Sequence, residues 1–62
     1  MSTFEDALED QILRAEMVEE LEDQQRADRE ELEAVAAEGR QRDAYRIRAR
    51  IFFRQRRIWR LT

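Results

Sequence analysis

Every basic side chain in this sequence is an arginine: there are twelve, with no lysine, histidine or cysteine. A guanidinium holds its proton throughout the accessible pH range, so it serves neither as a general base nor as a Schiff-base amine. What it does well is grip carboxylates and phosphates through a planar fork of donors. Five of these groups, Arg46, Arg50, Arg54, Arg57 and Arg60, follow one another at spacings of four, four, three and three, which on a helix gathers them into one sector. Apolar residues are threaded between them, with Ala44, Ile47, Ile51, Phe52, Ile58, Trp59 and Leu61 on the other side. Trp and Arg are the residue types most enriched where binding energy concentrates. The candidate partner-binding set is therefore Ile51, Phe52, Phe53 and Trp59 as anchors, with Arg46, Arg50, Arg54, Arg57 and Arg60 as orienting charges.

Other chemistry is scarce. Besides Tyr45 the only hydroxyls are Ser2, Thr3 and Thr62, and no histidine or lysine stands ready to activate them. Fifteen carboxylates are present, but a chain of this length has little material with which to wall off a pocket, so they are expected to stay solvated. The reading is a protein that is not an enzyme, with no cofactor, no metal and no small-molecule substrate. A 62-residue unit also buries only about 60% of the surface of its unfolded chain. Without cysteine or histidine, neither a disulfide nor a zinc site is expected to supplement that core, and association is the remaining route.

The elements that must carry these residues are helices. There is no proline or asparagine, and Gly39 is the only glycine. That leaves almost nothing to build a loop. Ser2 followed by Glu5 forms the S-x-x-E capping pattern, and Glu5, Asp6, Glu9 and Asp10 suit the positive end of a helix dipole. Phe4, Leu8, Ile12, Ala15, Val18 and Leu21 recur every three or four residues, with Glu9, Glu16 and Glu20 on the opposite side. The stripe lapses over Glu22–Glu31 before Leu32, Val35 and Ala36 resume it. These apolar repeats are too short to specify a free-standing coiled coil. Charge divides the chain in two: up to Glu38 fourteen acids face three arginines, a balance of −11, and from Gly39 onward nine arginines face Asp43 alone, a balance of +8.

The expected fold is thus all-α, a single unit with an acidic amphipathic arm (2–38) and an Arg-rich arm (40–62). The arms form either an antiparallel hairpin closed at Gly39 or one long bent helix, stabilised by association. Tyr45 to Phe53 also alternates as a strand would, but the Arg sector continues to Arg60 after the alternation has stopped, which favours helix. Closing the hairpin at Gly39 sets Leu32 and Val35 near Ile47 and Ala44, and places Ile51, Phe52 and Phe53 opposite Gln24, Gln25 and Asp28.

Several partners compete for the Arg sector. The bland reading is neutralisation by Glu22, Asp23, Asp28, Glu30 and Glu31 within the chain. The sharper one is phosphate, opposed by the acidic arm. A membrane-surface helix ranks lower for the same reason; the acidic face from Glu5 to Asp23 is read as solvated, with mimicry of DNA by its carboxylates as the lesser alternative. No stretch reaches the roughly 20 apolar residues of a membrane span, and no basic, hydrophobic leader opens the chain. An intracellular or virion location is therefore expected. Arginine without lysine is the signature of GC-rich coding and points to a bacterium or its phage. The function expected is a helical accessory or assembly protein that docks into a larger complex or self-associates, such as a minor structural protein of a phage particle or bacterial machine. The alternative is a small regulator of nucleic acid or of a nucleic-acid enzyme.

Overall fold

From Thr3 to Ala37 the sequence contains no residue that breaks a helix, and in the computed structural model, which describes residues 3–62, this whole stretch is one helix, α1 (Thr3–Ala37). The second helix, α2 (Gln41–Leu61), returns along it to complete an antiparallel hairpin. Of the two arrangements that the sequence allows, the chain adopts the hairpin rather than the rod. Tyr45 to Phe53 is helical, and there is no strand among the described residues. Ser2, the expected cap, lies outside them.

Gly39 makes the reversal. Its φ of 75° is the left-handed conformation that glycine adopts without a Cβ penalty. The Arg40 amide donates to the Val35 carbonyl at 3.2 Å and the Gly39 amide to that of Ala36 at 3.1 Å. These two crossed bonds are the Schellman closure, which satisfies carbonyls that the end of a helix leaves without partners. Arg40 then opens α2 with no side-chain cap. Its guanidinium instead bonds Asp43 in the first turn, Nε to Oδ2 at 2.9 Å, and Glu38 across the turn at 3.2 Å. The Asp43 hydrogen bond, then that of Glu38, raises the Arg40 pKa above its ordinary value. At the far end, the Thr62 amide and hydroxyl both donate to the Ile58 carbonyl.

The helices meet along a regular seam. On α1 the residues that lose solvent are Val18, Leu21, Gln25, Asp28, Leu32 and Val35. On α2 the facing series is Ala44, Ile47, Ile51, Arg54, Ile58 and Leu61. Both run at alternating steps of three and four, the average of 3.5 that keeps one edge of a helix against a neighbour. Near the turn, Val35, Ala44 and Ile47 form the buried cluster, with Leu32 and Ile51 packed against it. Farther along, Ile58 is buried, and Leu61 shares a groove with Val18. No side chain in this core is fully shielded from solvent.

The apolar stripe expected from Phe4 to Leu21 divides in the folded chain. Only Val18 and Leu21 reach the seam; Phe4, Leu8 and Ile12 are 74%, 46% and 51% exposed. The cause is the length of α2: its last turn, at Leu61, lies level with Val18, so the earlier residues of the stripe have no facing helix to cover them.

Helix lengths of 35 and 21 residues correspond to about 52 and 32 Å, so the first part of α1 extends past the end of α2. Residues 3–17 are exposed throughout. The molecule spans 57 × 15 × 11 Å, with a radius of gyration of 16.1 Å, against about 11 Å for a compact domain of this length. Neither helix is long and apolar enough to cross a membrane.

Candidate docking surface

The five arginines of the candidate set meet different surroundings along helix α2. Arg54 points into the seam, where its Nη1 donates to the Gln25 side-chain oxygen at 3.0 Å and pairs with Asp28 at 2.5 Å. Gln25 is 3% exposed. Its amide nitrogen donates to the Ile51 carbonyl at 3.0 Å and to the Gln55 side chain at 3.3 Å. Gln25, Asp28, Arg54 and Gln55 thus form a polar layer across the middle of an otherwise aliphatic seam, with every buried polar atom of the described side chains satisfied.

Arg50 reaches Asp28 at 3.8 Å and Glu31 at 3.6 Å from a half-exposed position. Neutralisation within the chain therefore accounts for Arg50 and Arg54. Arg46, Arg57 and Arg60 have no described carboxylate within salt-bridge distance.

The apolar candidates also separate. Ile51 packs inward against the buried cluster and is only partly exposed. Phe52, Phe53 and Trp59 remain 57%, 65% and 66% exposed. Phe52 and Phe53 meet edge to face with centroids 5.5 Å apart, which orders the pair without burying it.

Tyr45 belongs with them and was absent from the candidate set; it is 73% exposed. Tyr45, Phe52 and Trp59 recur every seven residues, which on a helix aligns them along one outward line. Arg48 and Arg56 fall between them, and the Arg56 guanidinium carbon stands 5.9 Å from the Phe52 ring centre, within cation–π range. The signal for this line was present in the sequence as the seven-residue recurrence, but it was obscured by grouping Phe52 and Trp59 with the inward Ile47 and Ile58. Helix α2 therefore has two apolar edges, an aliphatic one against α1 and an aromatic one facing away from it.

A second exposed apolar surface lies on the overhang of α1, where Phe4, Leu8, Ile12, Leu13 and Met17 are all exposed. Its charges are acidic: Glu5, Asp6, Glu9, Asp10 and Glu16 accompany a single arginine, Arg14, which is tied to Asp10 at 3.2 Å. The chain matches no protein-family model, no curated protein and no solved structure with which it was compared.

Proposed function

We propose that the protein is a non-enzymatic helical docking subunit, which uses the outward edge of α2 to join a larger assembly of the kind found in phage particles or bacterial machines. The observation that carries this reading is the Tyr45, Phe52 and Trp59 line with its neighbour Phe53: four rings held in solvent on a rigid helix, each more than half exposed. Soluble monomers avoid contiguous apolar patches of this kind, and such patches rimmed by polar groups mark interaction sites. Arg48 and Arg56 supply the polar rim, and aromatic and arginine side chains are the ones that dominate binding energy at interfaces.

An alanine series read by incorporation into the native assembly tests it. Trp59→Ala and Phe53→Ala are each expected to cost about 2 kcal/mol or more of binding, whereas Arg40→Ala, occupied with the turn, leaves incorporation unchanged. Variants at Trp59 and Phe53 that incorporate like the parent, while changes at Leu8 or Ile12 abolish it, would transfer the docking role to α1.

A second reading follows from Arg46, Arg57 and Arg60, which lie beside exposed rings without a described carboxylate partner. Arginine with aromatic rings is also a surface for nucleic acid, through phosphate contacts and base stacking. Binding of a random duplex or single strand that weakens steeply with salt supports it; no binding at low salt excludes it.

A further inference from the structure

The aromatic edge of α2 and the overhang of α1 are complementary in length, in polarity and in charge, yet they cannot meet within one chain. The overhang runs on past the point where Leu61 closes against Val18, so its exposed side chains lie beyond the end of α2. Resting on the reading of the aromatic edge as a docking surface, we propose that its occupant is a second copy of this chain: the overhang of each copy covers the aromatic edge of the other in a two-fold dimer.

The lengths agree. Residues 3–17 rise about 21 Å, and so does the stretch from Tyr45 to Trp59. The apolar residues agree as well, since Phe4, Leu8 and Ile12 form an aliphatic and aromatic stripe of the span needed to cover Tyr45 and Phe52. The charges are opposite: Glu5, Glu9 and Glu16 border the first stripe, and Arg48 and Arg56 border the second. Arg48 and Arg56 have no described carboxylate within salt-bridge distance in their own chain, nor do those three glutamates have an arginine.

A two-fold arrangement closes without leaving a half-site. When two hairpins lie antiparallel about a two-fold axis, the overhang of one copy falls alongside α2 of the other, and the reciprocal contact forms at the opposite end. The two contacting helices then run parallel, which brings Phe4 toward the partner's Tyr45 and Ile12 toward the partner's Phe52. The surface area is of the right size. The chain exposes 5418 Å², whereas a compact protein of 7.6 kDa exposes about 4,300 Å². Two copies together carry an excess of about 2,200 Å², comparable with the ~1,200–2,000 Å² that a standard interface removes.

Sedimentation equilibrium of the full-length chain is the test, with helix content followed by circular dichroism for every variant. The parent is expected to be a dimer at about 100 µM, and Leu8→Asp with Ile12→Asp, at exposed positions beyond the end of α2, is expected to weaken it about a hundredfold or more. Glu5→Arg with Glu9→Arg, and separately Arg48→Glu with Arg56→Glu, are each expected to weaken it about tenfold. All four charge changes in one chain restore the dimer, because both reciprocal contacts become complementary again.

The absence of cysteine allows a check that does not depend on affinity. Ile12 and Phe52 of one chain are about 20 Å apart along the hairpin, beyond disulfide reach. A chain carrying Ile12→Cys and Phe52→Cys should therefore form covalent dimers on mild oxidation, and one carrying Ile12→Cys alone should not. A parent with the mass of one chain at that concentration, or a four-fold charge swap that leaves the chain monomeric, overturns the proposal. If the parent is monomeric but Trp59→Ala still loses its place in the native assembly, the dimer is refuted and the docking reading stands; if neither effect is found, both fall.

Discussion

At the scale of single residues, the decisive choice is what α2 does with its arginines. Arg54 is 18% exposed at its side chain and Asp28 13%, and Arg54 bonds both Asp28 and the side-chain oxygen of the buried Gln25. Arg54→Ala would leave the Gln25 oxygen and the Asp28 carboxylate without their donor. It is expected to cost about 2–3 kcal/mol of stability, read as a lowered urea midpoint. Arg50→Ala removes only longer contacts from a half-exposed group, and a change within about 0.5 kcal/mol is expected. Equal losses from the two substitutions would mean that the polar layer does not have the role assigned to it. Converting Gln25, Asp28 and Arg54 together to leucine is a different experiment: it removes the whole polar layer and leaves no buried group without its partner, so it is expected to cost less than Arg54→Ala alone, read by the same urea midpoint.

The two helices and their turn show how much of this was legible beforehand. Gly39 stood out as the only residue able to supply a left-handed turn cheaply, and the pairing of Leu32 and Val35 with Ile47 and Ala44 followed from closing the chain there. The same closure placed Ile51 opposite Gln25, but that Gln25 would bond the Ile51 main-chain carbonyl was not readable from residue types, because a backbone acceptor carries no signature in the sequence. Arg54 was misleading for a related reason. It lies in the same sector as Arg50 and Arg57, and only the seam's 3.5-residue average, narrower than the wheel's broad faces, separates an inward arginine from an outward one. The Phe4 to Leu21 stripe was misleading for a different reason: closing the chain at Gly39 brings the end of α2 only as far as Val18, so a regular stripe continues where there is no facing helix.

The turn itself offers a clean test. A Cβ built on Gly39 meets nothing within 4 Å, so Gly39→Ala reports the conformational cost alone. A loss of about 1 kcal/mol is expected, and Gly39→Asn should lose less because asparagine tolerates the left-handed region. An unchanged urea midpoint for the alanine variant would show that the hairpin does not depend on this closure.

For the whole molecule, the central feature is a mismatch between the length of chain and the amount of core. Among the described residues three large aliphatic side chains, Val35, Ile47 and Ile58, are buried, while nine large hydrophobic ones are exposed. A seam with a charged layer at its centre and an overhang with no neighbour is a weak basis for an independent fold, and small domains without staples ordinarily acquire stability by associating. The uncovered apolar surface and the thin core are then one fact seen from two sides, and the proposed dimer would bury what the hairpin does not bury in itself. The measurement that addresses this most directly is thermal unfolding, followed at 222 nm over a hundredfold range of concentration, with the mass of the species determined in parallel by sedimentation. The account predicts that helix content and melting temperature rise with concentration as the mass passes from one chain to two. A sharp transition at a temperature independent of concentration, from a species with the mass of a single chain, would contradict it.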